Sequence, residues 1–250
     1  MKCISQLTKT VSAPTRVLTA GCRKAKLIFN VLASSSQRRY AHRWLCSCRR
    51  NYLLNAQLPW LSFDAIEYLT PRLREGMRVF EYGSGGSTLF WLAHGASCFS
   101  IEHDSEWYAI LRQRLTSKQS IDYRLILPEI EKASGWLGDP ADPEDFSSAD
   151  EAFQGYSFRK YVAQIDSFPD EYFDLVMVDG RARPSCIKHS VSKIKQGGFL
   201  VLDNADRSYY LSHTRAYLRD FQLLEFFGLG PGPGMPEMWK TSIYTRKISR

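Results

Sequence analysis

A glycine-rich turn between an apolar strand and a helix is the sequence feature that most constrains this chain. The segment Val79–Ser87 reads V-F-E-Y-G-S-G-G-S, so a strand is predicted to end near Glu81 and a helix to begin near Ser87. Gly83 and Gly85 lack a Cβ, so the backbone there tolerates positive φ and can approach a ligand closely. The unpaired N–H groups at the start of the helix point to the same place. This order predicts an α/β fold with a ligand at the turn.

Strands alternate with helices through the rest of the chain. Helices are predicted at Ser87–His94, Asp104–Leu115 and Pro184–Lys195. Strands are predicted at Arg78–Tyr82, Ser97–Ile101, Tyr123–Leu127, Phe173–Val178, Phe199–Leu202, Leu223–Phe227 and Thr241–Thr245. This alternation predicts a doubly wound, Rossmann-like, mostly parallel sheet with helices on both faces.

The basic charge of the chain is confined to its N-terminal part. Residues 1–50 hold eleven Lys and Arg residues and no Asp or Glu, and subtracting these from the net charge of +7 leaves −4 for the remainder. We therefore predict a basic N-terminal extension at residues 1–50 and one folded domain at residues 51–250. The acidic balance of that domain argues against a nucleic-acid-binding groove.

The N-terminal extension has three interpretations that the sequence leaves open. It resembles an organelle transit peptide in being rich in Arg and Ser, which would make the protein organelle-targeted rather than cytoplasmic. It could instead contact a membrane surface or an acidic partner. A loosely docked extension, dispensable for ligand binding, is the third interpretation. No stretch reaches the length of about 18 uncharged apolar residues that a membrane span needs, and the sequence does not predict an oligomeric state.

One insert interrupts the regular alternation at residues 128–170, which is too long for an ordinary connection. The stretch from Ala133 to Phe158 contains no Lys or Arg and six acidic residues. Its first half is expected to be a solvated acidic loop. The second half carries Tyr156 and Phe158, with Tyr161 just beyond, and is more typical of a structured cover over a site.

The glycine turn favours a cationic nucleotide ligand over a dinucleotide. The position of the third glycine in the dinucleotide pattern G-x-G-x-x-G is occupied here by Thr88. A carboxylate at Glu81, just before the first glycine, suits the sulfonium and ammonium of S-adenosylmethionine better than a diphosphate. Glu102 ends the second strand 17 residues after Gly85, near the spacing at which an acidic residue reaches ribose hydroxyls.

Three motifs together resemble the class I S-adenosylmethionine-dependent methyltransferases. They are E-Y-G-S-G-G-S-T, S-I-E-H-D and F-D-L-V-M-V-D-G, and the resemblance covers about residues 58–250. It implies a seven-stranded sheet whose last strand is antiparallel, and the Gly/Pro-rich turn at 228–234 suits that final hairpin. It also implies methyl transfer to a small-molecule acceptor, with a cofactor site lined by Glu81, Gly83, Ser84, Gly85, Glu102 and His103.

The ends of the fourth and fifth strands are the predicted location of the chemistry, because ligands bind there in open α/β sheets. Asp179, Asp203 and Asn204 resemble the metal site of catechol and caffeoyl-coenzyme A O-methyltransferases, which implies O-methylation, Mg²⁺ and catalytic roles for the two aspartates. Those enzymes carry a Lys where this chain has Ala182. The carboxylates could therefore orient loops or substrate without a metal.

Two further questions stay open at the sequence level. Arg181, Arg183 and Arg207 could clamp an anionic substrate group, or they could only neutralise the neighbouring aspartates. A nicotinamide-dependent oxidoreductase is the rival activity, although this chain lacks the third glycine that such an enzyme would carry. A cofactor-binding partner subunit without catalysis is the non-enzymatic alternative.

Overall fold

A computed structural model of the protein describes residues 31, 34–130, 138–232 and 238–248. The helices are α1 (Ser35–Arg38), α2 (Ala41–Ser47), α3 (Tyr52–Ala56), α4 (Phe63–Leu69), α5 (Gly86–Ala93), α6 (Ser105–Arg112), α7 (Arg159–Val162), α8 (Arg183–Ser190) and α9 (Tyr209–Ser212). The strands are β1 (Arg78–Tyr82), β2 (Ser97–Glu102), β3 (Ile121–Leu125), β4 (Glu129–Ile130), β5 (Tyr156–Ser157), β6 (Phe173–Val178), β7 (Ile194–Leu202), β8 (Phe221–Gly228) and β9 (Trp239–Arg246).

Seven strands form one sheet in the order β3-β2-β1-β6-β7-β9-β8. The pairs from β3 through β7 are parallel, whereas β9 lies antiparallel between β7 and β8. The predicted fold class, a doubly wound mostly parallel sheet with an antiparallel last strand, is confirmed. The central strands are buried on both faces, as parallel strands covered by helices must be.

The predicted bounds of β1 and β6 match the observed ones, whereas strands that pairing extends are longer than predicted. The fifth predicted strand was to begin at Phe199 after a glycine turn, but β7 begins at Ile194 and contains Gly197 and Gly198. Pairing of β7 with β6 shifts register between Phe173 and Leu175, which accommodates the glycines inside the strand. The preceding helix consequently ends earlier than predicted.

Residues 34–50 contact the domain that was predicted to begin at residue 51, and the division of the chain at residue 50 stays a prediction. Tyr40 is 1% exposed, and its hydroxyl donates to Asp64 Oδ1 at 2.8 Å and Glu67 Oε2 at 2.7 Å. Gln37 Oε1 accepts from the backbone N–H of Leu229 at 2.8 Å. This contact was not predictable from charge and composition, because α1 and α2 carry few apolar residues at helical spacing. Residues 1–30 lie outside the described residues, and so does the interpretation of them as a targeting or membrane-binding segment.

The described part of the insert is docked against the sheet rather than solvated. Phe146 is buried, and the guanidinium of Arg159 lies 4.2 Å from the centre of its ring. Glu144 pairs with Lys188 of α8, and Asp150 pairs with Arg181 at 3.0 Å. Two of the acidic side chains therefore pair with basic residues on the loop and helix that follow β6. No helix among the described residues reaches the length and apolarity of a membrane span.

Candidate functional site

The glycine turn after β1 touches the end of β6 backbone to backbone. Gly83 has φ +87°, and a Cβ there would lie 2.9 Å from the Cα and N of Gly180. Its N–H donates to the carbonyl of Ile101 at 3.0 Å, which holds the turn against β2. Any residue other than glycine at position 83 would be destabilised twice, by the unfavourable φ and by a clash of its Cβ with the backbone of Gly180. The turn therefore brings the ends of three neighbouring strands together.

Glu102 holds the glycine turn from the end of β2, as the predicted cofactor site requires. It is 3% exposed, and its Oε2 accepts from Ser84 N at 3.0 Å and from Ser84 Oγ at 2.9 Å. Its Oε1 accepts from the backbone N–H groups of His103 at 2.7 Å and Asp104 at 3.0 Å. Burial raises the pKa of this carboxyl, but the hydrogen bonds that it accepts from His103, Asp104 and Ser84 outweigh burial, so the net pKa is lowered. Glu102 is thus a carboxylate at neutral pH.

Glu81 differs from expectation, because it faces the protein interior and not the mouth of the turn. It is fully buried, and its Oε2 accepts from Thr88 Oγ1 at 2.5 Å and Ser100 Oγ at 2.7 Å. Its Oε1 accepts from Trp91 Nε1 at 3.0 Å. Burial raises the pKa of Glu81 to about 7, although these donors oppose the shift. As placed, Glu81 fastens α5 to the sheet beneath the turn.

Two aromatic residues at the turn were not identified from the sequence. Trp107 donates from Nε1 to the carbonyl of Ser84 at 2.7 Å, and its ring lies beside Gly85. The hydroxyl of Tyr123 lies 2.7 Å from Ser84 Oγ. Trp107 is the third residue of α6, whose N-cap Asp104 accepts from the Trp107 N–H at 2.9 Å. The capping residue was the available signal, because it fixes which side chain of the first turn points back toward the glycine turn.

His103 lies in an aromatic cluster that joins the insert to the glycine turn. Its ring contacts Phe153, Phe158 and Tyr161 in edge-to-face geometry. Arg181 Nε donates to His103 Nε2 at 3.2 Å, so the ring proton belongs on Nδ1, which lies 2.9 Å from Glu102 Oε1 without a well-aligned hydrogen bond. The hydroxyl of Tyr161 is buried beside Gly180 and has no partner among the described residues.

The two predicted catalytic carboxylates lie in different environments. Asp203 is 2% exposed, and its Oδ1 accepts from Trp239 Nε1 at 2.9 Å and Thr241 Oγ1 at 3.0 Å. Burial, and then the charge of Asp179, raises the pKa of Asp203 to about 8. The side chain of Asp179 is 23% exposed and pairs with Arg183 at 2.9 Å. Only Asp179 keeps partial access to solvent, so Asp203 serves as an anchor between β7 and β9.

The predicted metal ligands do not form a donor set that fits Mg²⁺. Asp203 directs its carboxylate at two donors of β9, and Asp179 directs an oxygen at a buried guanidinium. Asn204 adopts φ +48° in the turn that follows β7. Within the described ranges, no three His, Cys, Asp or Glu side chains are grouped so that they could hold an ion. The structure therefore gives no support to the predicted magnesium site.

A cavity of about 400 Å³ lies beside these strand ends, between the insert and the turn after β7. Its walls come from residues 147–150 of the insert, residues 180–184 after β6, and Arg207, Tyr209 and Tyr210 after β7, with Pro140 at one side. All three arginines that the sequence singled out line it. Neither Asp179 nor Asp203 is among the lining residues.

The comparisons with known proteins identify the fold. No protein-family model matches the chain, and no curated protein sequence matches it. A provisionally assigned O-methyltransferase of Klebsiella pneumoniae superposes with a TM-score of 0.51 at 13% identity, covering 78% of this chain and 88% of that one. At this identity the likeness establishes the methyltransferase fold alone.

Two further solved structures superpose less closely. A 1,6-didemethyltoxoflavin N1-methyltransferase of Burkholderia thailandensis, with S-adenosylhomocysteine bound, gives a TM-score of 0.45 at 10% identity, covering 96% of this chain and 93% of that one. A provisionally assigned rRNA methylase of Clostridium thermocellum gives 0.48 at 11% identity, covering 75% of this chain and 95% of that one.

Proposed function

We propose that this protein is an S-adenosylmethionine-dependent methyltransferase that O-methylates a small-molecule acceptor. The observation that carries the proposal is the junction of the glycine turn with Glu102. An ionised carboxylate at the end of β2 accepts from the backbone and side chain of Ser84 in the turn. The sheet order places this junction at the carboxyl ends of parallel strands, where ligands bind in open α/β folds.

The residues at the junction fit the chemistry of the cofactor. A carboxylate with a lowered pKa accepts hydrogen bonds but has no proton to donate to a phosphate oxygen, so it suits ribose hydroxyls. In this proposal a ribose hydroxyl takes the place of Ser84 Oγ on Oε2 of Glu102. The side chain of Trp107 is 36% exposed beside Gly85 and offers an indole face to a purine. In this proposal Glu102, Ser84, Gly85 and His103 line the cofactor site, and Glu81 supports it from beneath.

The protein's part in the reaction is to position the acceptor. When bound, S-adenosylmethionine supplies a methyl group that its sulfonium already activates, so placement of the acceptor oxygen supplies most of the catalysis. The cavity between the insert and the turn after β7 receives the acceptor in this proposal. Asp179 is partly exposed at the end of β6 and directly precedes Gly180 of the cavity wall. In this proposal it takes the proton from an acceptor hydroxyl that lies at the edge of the cavity, next to Gly180. Asp203 has no catalytic role here, because its carboxylate is buried against β9.

The metal-dependent O-methyltransferases remain a partial likeness only. The position of their Lys is Ala182, which adopts φ +47° at the start of α8. Arg183 fills the space beside Asp179 instead, and an Arg side chain does not act as a general base. The proposed methyl transfer therefore involves no metal ion.

Calorimetry with S-adenosylhomocysteine and NAD tests the proposal. The full chain should bind S-adenosylhomocysteine and not NAD. Glu102→Gln should weaken that binding by about 1.5–3 kcal/mol, the range for hydrogen bonds to a charged group. Glu75→Gln is the matched control, because Glu75 is an exposed carboxylate on the loop before β1.

Three outcomes separate this proposal from its rivals. Binding of NAD in place of S-adenosylhomocysteine would favour the oxidoreductase. Unchanged affinity in Glu102→Gln, with unchanged melting of the variant, would remove Glu102 from the site. Binding of S-adenosylhomocysteine without methyl transfer to any phenol or carboxylate acceptor, assayed with tritiated cofactor, would favour a partner subunit without catalysis.

A further inference from the structure

The cavity beside the predicted methyl-transfer site has a cationic wall. Arg181, Arg183 and Arg207 line it, and Asp150 is the acidic residue of the lining. The sequence left two roles open for these arginines, neutralising nearby aspartates or binding an anionic substrate. The structure distinguishes the roles of the three arginines, because each guanidinium has different partners.

Two of the three arginines are committed to the protein itself. Arg183 is buried and pairs with Asp179 at 2.9 Å, and it donates to the backbone carbonyls of Gly180 and Asp203 at 3.1 Å and 2.5 Å. Arg181 pairs with Asp150 at 3.0 Å and donates to His103. Each of these charges faces a carboxylate, so neither needs a ligand to balance it.

Arg207 differs from the other two arginines in the partners of its guanidinium. Within the described ranges, no Asp or Glu side chain pairs with it, and its guanidinium donates to the hydroxyl of Tyr210 at 2.9 Å. The neighbouring Asp206 accepts instead from the backbone N–H of Lys240 at 3.3 Å. A guanidinium has five N–H donors, so most of those of Arg207 are open to a ligand in the cavity.

The turn after β7 fixes Arg207 at the cavity wall. Arg207 N donates to the carbonyl of Asn204 at 3.1 Å, and Tyr210 N donates to the carbonyl of Arg207 at 3.0 Å. The rings of Tyr209 and Tyr210 meet at 4.5 Å in edge-to-face geometry. The guanidiniums of Arg183 and Arg207 lie 5.2 Å and 5.8 Å from the centre of the Tyr210 ring. Two cations therefore flank one aromatic residue, and of the two only Arg183 has a carboxylate partner among the residues that the structure describes.

We infer that the methyl acceptor carries an anionic group, a carboxylate or a phosphate, that binds to Arg207 beside an aromatic or apolar body. This inference rests on the proposed function, because it takes the cavity as the acceptor site. Arginine suits the task, because its planar fork pairs with two oxygens of a carboxylate or phosphate. Tyr209 and Tyr210 supply the surface against which the body of a small molecule packs. A volume of about 400 Å³ admits a molecule of that kind.

Binding of three small probes to the full chain saturated with S-adenosylhomocysteine tests the inference. Benzoate and phenyl phosphate present the two anionic groups, and benzamide is a neutral molecule of similar shape. We expect at least one anion to bind about tenfold or more tightly than benzamide at constant ionic strength. The tighter anion identifies the carboxylate or the phosphate as the recognised group.

Matched variants localise the effect. Arg207→Gln should weaken anion binding by about tenfold or more, whereas Arg219→Gln, which removes the same charge from an exposed position outside the cavity, should leave it unchanged. Arg207→Lys keeps the charge without the fork and should recover part of the affinity. Melting curves and S-adenosylhomocysteine affinity should be the same in all three variants.

Several results would overturn the inference. They are equal binding of benzamide, absence of binding by both anions, and equal losses in Arg207→Gln and Arg219→Gln. If S-adenosylhomocysteine binds and the anions do not, this inference fails and the proposed function stands. If the wild-type chain does not bind S-adenosylhomocysteine, the proposed function itself fails.

Discussion

Glu81 provides the sharpest test of whether the structure assigns roles correctly at the glycine turn. Its carboxylate accepts from three buried donors, which are Thr88 Oγ1, Ser100 Oγ and Trp91 Nε1. Glu81→Ala would leave all three without an acceptor in a site that is fully buried. Since an unsatisfied buried donor costs about 1–3 kcal/mol, we expect a loss of about 3 kcal/mol or more in the free energy of unfolding.

Glu81→Gln should behave differently, because the amide keeps the shape of the side chain. Its oxygen can accept from the indole N–H of Trp91, and its NH₂ can donate to the hydroxyl oxygens of Thr88 and Ser100. We expect a loss of about 1 kcal/mol at acidic pH. Glu75→Gln, at an exposed position, should have no effect and controls for the charge change.

The pH dependence of the free energy of unfolding gives an independent reading of the same residue. Burial raises the pKa of Glu81 to about 7, from an ordinary value of 4.5, so the folded state binds this proton more tightly than the unfolded chain. Stability contributed by the protonated form is complete below about pH 4.5 and is lost as pH rises toward about 7. At about 1.4 kcal/mol per pH unit, the loss reaches about 3 kcal/mol.

Urea unfolding between pH 4.5 and 8 measures this. The wild-type advantage over Glu81→Gln should fall by up to about 3 kcal/mol as pH rises, because the variant lacks the titrating group. It should change sign, from about 1 kcal/mol in favour of wild type at acidic pH to about 2 kcal/mol in favour of the variant at pH 8. A difference that stays constant with pH would refute the burial argument. If Glu81→Ala unfolds at the wild-type urea concentration but no longer binds S-adenosylhomocysteine, Glu81 faces the cofactor and the placement described above is wrong.

Two further predictions follow from the docking of the N-terminal helices and of β9. A chain beginning at Asn51 should be less stable than one beginning at Ser34 by about 3 kcal/mol or more, because it loses the buried Tyr40. Equal melting of the two chains would support the predicted boundary at residue 50. Asp203→Ala should lower the free energy of unfolding by about 2 kcal/mol or more, since two buried donors lose their acceptor, and chelator should not change methyl transfer. Full stability with abolished, chelator-sensitive activity would instead make Asp203 a metal ligand.

The order of elements and the position of the turn were predictable from local sequence. A run of apolar residues, a glycine pair and a capping residue act within a few residues of each other, so Arg78–Tyr82 and Phe173–Val178 were predicted with their observed bounds. Glu102 was also predictable, because the spacing between β1 and β2 fixes which residue lies at the end of the second strand. The final hairpin was found but underestimated in length, since pairing extends both strands beyond their apolar centres.

Only the tertiary structure decided which partner each polar residue takes. The register of β1 and β2 places Glu81 and Glu102 on the same face of the sheet, because Glu81 pairs with Ser100, two residues before Glu102. Glu81 nevertheless accepts from Trp91 of α5, whereas Glu102, at the end of β2, accepts from Ser84 in the turn. Gln37 reaches the backbone of Leu229 across 192 residues. Of the three arginines of the cavity, two pair with carboxylates, and Arg207 pairs with none in the part of the chain that the structure describes. Such pairings depend on distances between segments that are remote in sequence, and residue type and spacing do not encode those distances.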